Sequence, residues 1–253
     1  MDHSSYYDLS RPDDGRENTS YFVLDSLLKS RIECGFESSE HPYDESVNVY
    51  LVHLLSSLVA APGLGPQTAN HDVDVFAQVR TSQDPRFKCE VYRTNADHLL
   101  LSTGIFGETP YVERDGQRQF DGCAQERIGR GKAYYDYAAT FHGRTGSRSS
   151  VVPRVLSRLS SDFERYVEVL FHMRGEYFNL YERLREDQFM ALQEDVSVAA
   201  DGTSALRTLR DEFLDAYWLW HQTPGAGTRN ALVDAVKRLS AADPSFEFRL
   251  PEH

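Results

Sequence analysis

Apolar side chains recur at alternating steps of three and four along one stretch: Leu156, Leu159, Phe163, Tyr166, Leu170, Met173, Tyr177, Leu180 and Leu184. A helix turns once every ~3.6 residues, so these positions share one stripe. Arg158, Asp162, Glu164, Arg165, Glu168, Arg174, Glu182 and Arg183 fill most of the remaining surface. Val155, Val167, Val169, Phe171, Phe178 and Tyr181 widen the stripe. The pattern predicts one long helix over 155–184 that meets neighbours on more than one side. Pro153 suits its start, and Gly175 is its weak interior point. A coiled-coil seam would repeat Leu, Ile or Val between charged flanks. Here the seam is aromatic and the flanks are partly apolar, which favours a central core helix.

The same period marks further helices. Phe22, Val23, Leu27, Leu28 and Ile32 follow a Thr19–Ser20 cap, and Gly35 ends that run. Val47, Tyr50, Leu51, Leu54, Leu55 and Leu58 form a second, stopped by Pro62–Gly63. In DVDVFAQVR, Val73, Val75, Ala77 and Val79 alternate as in a strand, while Val75, Phe76 and Val79 fit a helical turn; helices on both sides favour helix. A helix is expected from about Phe87 through Phe106, whole or divided near Thr94. Residues 107–125 read as a long polar loop, a length that is uncommon unless the loop is functional or disordered. RIGRGKAYYDYAATFHG predicts a helix with Ile128, Ala133 or Tyr134, Tyr137, Ala138 and Phe141 on one face. RTGSRSS connects it to the long helix, and ALRTLRDEFLDAYWLW and TRNALVDAVKRLS are two later helices. No internal repeat and no coherent β pattern appears. The reading is an all-α, multi-helix bundle of about seven to nine helices around 155–184. Residues 1–19 are an expected disordered acidic tail, 20–242 a helical domain with a sub-boundary near 194–203, and 243–253 an extended tail. Tyr6–Tyr7 in the first tail are read as loosely packed surface residues rather than a docking motif.

Composition narrows the function. The net charge is −12, so the chain lacks the basic field that draws in nucleic acid or an anionic membrane. Cys34, Cys89 and Cys123 are widely spaced and form no C-x-x-C pair, against a disulfide scaffold or a zinc ribbon. The polar start and the lack of a long apolar run lead to the expectation of a cytoplasmic protein.

Three stretches occur in a familiar order: Tyr92-Arg93-Thr94-Asn95-Ala96-Asp97-His98-Leu99-Leu100-Leu101-Ser102-Thr103-Gly104-Ile105-Phe106, then Gly131-Lys132-Ala133-Tyr134-Tyr135-Asp136-Tyr137-Ala138, then Leu159-Ser160-Ser161-Asp162-Phe163-Glu164-Arg165-Tyr166-Val167-Glu168-Val169-Leu170. Together they resemble an uncharacterised bacterial all-helical protein family, over about residues 88–184. Its members show a Tyr-Arg…Asp…Leu-Leu…Gly-x-Phe segment, a Tyr-Tyr helix and a Phe…Val…Leu helix. The resemblance implies a helical fold and a bacterial origin, and carries no chemistry.

Candidate chemistry is sparse. A di-iron bundle uses Glu-x-x-His pairs, and no Glu here has His three residues on. Glu168 and His172 lie four apart and share a face, but a metal needs three or four converging ligands, so no metal or cofactor is expected. Asp97 beside His98 is a candidate general base, against which stands a hydrogen-bonded structural role. Gly129-Arg130-Gly131-Lys132 evokes a phosphate loop, yet Glu126 and Ala133 stand where Gly and Ser or Thr are required. What remains is local basicity: Arg127, Arg130, Lys132, Arg144, Arg148, Arg154 and Arg158 against Glu126 and Asp136 in residues 126–158. Tyr217, Trp218, Trp220 and His221 are read as core rather than a pocket. No nucleophile elbow is present. The expected function is therefore a non-catalytic interaction or adaptor protein with a protein partner, a homodimer included. Its contact surface is expected at Arg127, Arg130, Lys132, Arg144 and Arg148, together with 107–125. The alternative is a ligand- or metal-binding helical-bundle enzyme built on Asp97, Glu168 and His172.

Overall fold

The computed structural model describes residues 19–38, 41–60, 72–106, 109–114, 117–145, 150–188, 202–243, 246 and 248. The acidic stretch with Tyr6–Tyr7, Arg148, residues 194–201 and most of 243–253 lie outside them. Among the described residues there are nine helices and one hairpin. In order these are α1 (Thr19–Glu33), α2 (Asp44–Ala60), α3 (Asp72–Arg80), α4 (Pro85–Gly104), β1 (Tyr111–Arg114), β2 (Gln117–Phe120), α5 (Gly122–Gly143), α6 (Val152–Ser161), α7 (Phe163–Gln188), α8 (Gly202–Gln222) and α9 (Ala226–Ala242). The fold is an all-α multi-helix bundle. No described helix is long and apolar enough to cross a membrane.

The chain forms two compact units. The first comprises Met1–Ser26, Asp44–Leu64 and Glu176–His253; the second comprises Leu27–Tyr43 and Gly65–Gly175. In the first unit Tyr177 donates to the carbonyl of Leu55 at 3.0 Å, tying α7 to α2. Phe213, Tyr217 and Trp220 of α8 are buried, and Phe246 meets Phe213 edge to face with ring centres 5.0 Å apart. Most of the C-terminal aromatic cluster is therefore core, as its residue types predict, while His221 is exposed.

In the second unit α4 and α5 run antiparallel: Lys88 meets Phe141, Tyr92 meets Tyr137, and Asp97 meets Tyr135. Each helix starts on an aspartate cap. Asp84 accepts from the backbone N–H of Arg86 at 2.9 Å, and Asp121 from that of Ala124 at 2.6 Å. Helix α1 ends in a Schellman motif. Gly35 sits at φ 63°, the amide of Phe36 donates to the carbonyl of Arg31 at 2.8 Å, and that of Gly35 to Ile32 at 3.0 Å.

The predicted 155–184 helix is broken at Asp162, which leaves helical geometry at φ −111° and ψ 28°. The cause is local. Ser161 donates to the carbonyl of Ser157 at 3.0 Å, Asp162 pairs back to Arg158, and Ser160 is drawn sideways to the carbonyl of Lys132 at 2.8 Å. Ser and Asp compete with the helix for backbone groups in this way. The apolar stripe survives the break as far as Tyr177: Leu156, Leu159, Phe163, Tyr166, Leu170, Met173 and Tyr177 are all buried, and the side chains of Leu180 and Leu184 lie outside the described ones. Gly175 produces no interruption of α7.

The loop expected at 107–125 is largely structured. Residues 111–114 and 117–120 pair antiparallel, with Tyr111 opposite Phe120, and α5 begins at Gly122. Two four-residue strands are marginal alone. Tyr111 stacks on Phe120 at 4.8 Å and sets its edge against Phe171 of α7 at 5.4 Å. That docking supplies what so short an alternation could not signal. In α3 the four-residue spacing prevails over the alternation: Val75 and Val79 are buried, while Val73 is exposed.

Candidate functional site

The charges that stand out in 126–158 are largely engaged within the second unit. Arg130 donates Nε to Asp72 at 2.6 Å, and the hydroxyl of Tyr134 donates to the same carboxylate oxygen. Burial alone would lower the Arg130 pKa, but contact with Tyr134 and Asp72 outweighs it and holds the group above its ordinary value. Burial, then the hydrogen bond to Asp72, pushes the Tyr134 phenol up to about 12. Lys132 pairs with Glu164 at 2.9 Å, and Arg158 pairs with Asp162. Arg154 lies over the ring of Tyr43 at 5.3 Å. Arg127 reaches back to the carbonyl of Cys123 at 3.3 Å. Local sequence showed only Glu126 and Asp136 against this run; the carboxylates of Asp72 and Glu164 arrive from other elements.

The Tyr134 shift sets a pH dependence. A tyrosine in the unfolded chain ionises near ~10, below the folded value of about 12. The neutral phenol therefore stabilises the fold fully below pH ~10, and this contribution disappears as the pH rises towards 12. Urea midpoints measured from pH 9 to 12 are expected to fall more steeply for the wild type than for Tyr134→Phe. Parallel slopes would remove Tyr134 as the cause.

What α5 leaves uncovered is an aromatic face shared with α3 and α4. Tyr92, buried in α4, is its floor. Tyr137 and Phe76 meet Tyr92 at 5.1 and 6.4 Å, and Phe141 stacks on it at 5.9 Å with 12° between planes. Phe76 and Tyr137 are each 41% exposed. Lys88 Nζ lies 5.6 Å from the centre of the Phe141 ring and Arg144 Cζ 5.1 Å. Cations at that range are attracted to the ring face. Among the described residues neither cation has a carboxylate partner. Burial, and then the neighbouring Tyr137, raises the Tyr92 phenol, which stays neutral at physiological pH.

Of the basic residues expected to form the contact surface, Arg144 is the one among the described residues that stands on this face. Arg130 and Lys132 are held in ion pairs, and Arg148 lies outside the described residues. Tyr137, expected on the buried side of its helix, is half out of it. The signal available in the sequence was the number of aromatics on α5: Tyr134, Tyr135, Tyr137 and Phe141 are too many for one stripe. Phe76 was hidden by the mixed periodicity of α3.

Asp97 is buried and accepts from Tyr135 at 2.8 Å, a contact between α4 and α5. Glu168 and His172 are exposed on α7, where His172 Nδ1 lies 3.2 Å from the Ser30 hydroxyl and Nε2 3.1 Å from Glu33. Among the described residues no three His, Cys, Asp or Glu side chains are placed to hold a metal ion. In the first unit Glu45 receives the Tyr217 hydroxyl on one oxygen and faces His221 at 3.4 Å with the other. That arrangement links α2 to α8.

The stretches that carry the family resemblance meet one another. Asp97 bonds Tyr135, Tyr92 meets Tyr134 at 5.7 Å, Gly104 lies against Leu170, and Gly131 against Phe163. Comparison of the chain with protein-family models, with curated proteins and with solved structures finds no match in any of the three.

Proposed function

We propose that this chain is a non-catalytic interaction protein that holds a protein partner on the aromatic face of α3, α4 and α5. The observation that carries this reading is the pair of half-exposed rings, Phe76 and Tyr137, joined through Tyr92 to Phe141 and flanked by Lys88 and Arg144. Aromatic side chains with arginine at their edge are the groups that most often carry binding energy at protein interfaces. A core position would cover Phe76 and Tyr137; what distinguishes them from singly exposed apolar residues is that both meet the same Tyr92 ring.

The surface differs from the one the local charge run suggests. Reversing Arg130 or Lys132 would break the ion pairs with Asp72 and Glu164, so loss of binding in such variants would not separate contact from folding. Phe76→Ser and Tyr137→Ser change exposed positions instead. Cross-linking the wild type and the double variant at equal expression is expected to show partner adducts that the variant lacks, with unchanged thermal unfolding. An identical adduct pattern in both would reject the face. Bacterial origin and a cytoplasmic setting belong to the same proposal: the first rests on the resemblance over about residues 88–184, the second on the lack of a described helix long and apolar enough to cross a membrane.

A further inference from the structure

Resting on that reading, we infer that the segment the aromatic face accepts is acidic and apolar together: a short peptide stretch whose hydrophobic side chain packs on Phe76, Tyr92 and Tyr137 while its carboxylates meet Lys88 and Arg144.

Charge complementarity singles out this occupant. On a chain of net charge −12, two cations that meet no carboxylate among the described residues converge on one ring. Arg130, close by through Tyr134, is satisfied by Asp72 and contributes no free charge. Asp84, at the start of α4 beside Lys88, is engaged as the helix cap and accepts from the Arg86 amide. Lys88 and Arg144 are thus pre-positioned by the Phe141 ring, and among the described residues neither meets an anion. A cation held by a ring loses less side-chain freedom when it binds. The Arg144 guanidinium offers a planar fork that matches a carboxylate, and Lys88 a point charge.

The geometry also discriminates among partners. Rings with cations suit single-stranded nucleic acid in general. A polyanion would have to approach a chain of net charge −12 along its whole length, whereas a segment with two or three carboxylates meets only the local cations. A second copy of this chain would have to present such an acidic, apolar segment of its own, and that outcome is visible as self-association.

The test uses the full chain and fluorescent twelve-residue peptides. One alternates Glu with Leu and Phe, a second carries Gln in place of each Glu, and a third carries Lys. A dT12 oligonucleotide is the fourth probe. Binding is read by anisotropy at 50 and 200 mM salt, with sedimentation of the free chain alongside. The Glu peptide is expected to bind at least tenfold more tightly than the Gln peptide, to weaken in the higher salt, and to lose at least tenfold with Lys88→Glu/Arg144→Glu. The Lys peptide and dT12 are expected not to bind. Equal binding of the Glu and Gln peptides, or loss with Phe76→Ser/Tyr137→Ser but not with the charge reversals, would overturn the acidic class and leave the face standing. Preferred binding of dT12 or of the Lys peptide would overturn it as well. No peptide binding, with wild-type cross-linked adducts that Phe76→Ser/Tyr137→Ser abolishes, would reject the peptide class alone. No peptide binding together with adducts indifferent to those substitutions would reject both. Self-association abolished by Phe76→Ser/Tyr137→Ser would replace the peptide by a second copy.

Discussion

Arg31→Ala is expected to cost the protein about 3 kcal/mol of stability. Arg31 is fully buried, which is rare for this residue type. Its Nε donates to the carbonyl of Phe36 at 2.9 Å, and its terminal nitrogen reaches that of Glu37 at 3.4 Å. The guanidinium also lies 4.3 Å from the centre of the Phe36 ring, which itself is buried on Tyr166. Hydrogen bonds from a charged donor are worth about 1.5–3 kcal/mol, and a buried carbonyl stripped of its donor costs about 1–3. The same residue supplies the carbonyl that closes the Schellman turn, so side chain and backbone fasten the turn together. Arg165 adds a third tie, donating to the Gly35 carbonyl at 2.7 Å with its Cζ 4.0 Å from the same ring. Urea unfolding of Arg31→Ala and Arg31→Met separates the parts. Methionine keeps most of the stem and removes the donors, so it is expected to lose less than alanine. A loss under about 0.5 kcal/mol in both variants, the size of an ordinary surface change, would show that these contacts do not hold the turn.

Gly131→Ala is expected to destabilise by about 1–3 kcal/mol, although alanine is the better helix former by about 1 kcal/mol. A Cβ at Gly131 would overlap Cζ and Cε2 of the Phe163 ring, which is fully buried. The contact is where α5 crosses the start of α7, and Ser160 fastens the same crossing through the Lys132 carbonyl. Gly129 is the control. Two residues earlier on the same helix, a Cβ there meets nothing, so Gly129→Ala is expected to stabilise by about 0.5–1 kcal/mol. Thermal melts of the two variants should therefore move in opposite directions. Shifts of the same sign would mean that the crossing accommodates a methyl group. Gly131 is the second glycine of the run that evokes a phosphate loop, so its place there follows from close packing.

The two substitutions and the aromatic face illustrate one limit. Residues 126–158 carry seven basic side chains against two acidic ones, a contrast that suggests a free cationic surface. Four of those cations are engaged in ways the run does not show, Arg130 with Asp72, Lys132 with Glu164, Arg158 with Asp162, and Arg154 over Tyr43. Counting charge within a run ignores acids beyond it, and folding brings in Asp72 from 58 and Glu164 from 32 residues away. Periodicity has a parallel limit. It located the buried positions of the long stripe, because every fourth or third side chain faces the same way wherever the helix goes. It gave no warning of the break at Asp162, because three consecutive short polar residues can continue a helix or leave it. Their hydrogen bonds to Ser157, Arg158 and Lys132 settle the matter.

By itself, the sequence determined the helical class, the stripe through Leu156 and Tyr177, the Gly35 end of α1 and the core role of the C-terminal aromatics. Each follows from a local rule: the 3.6-residue repeat, the freedom of glycine at positive φ, and the area that large rings bury. The tertiary structure alone decided the hairpin at 111–120, the halves of the long helix, the placing of Asp97 on Tyr135, and which rings stay uncovered. Those outcomes depend on partners distant in the chain. Tyr111 needs Phe171, Ser160 needs the Lys132 carbonyl, and Phe76 and Tyr137 become one surface only because Tyr92 lies between them.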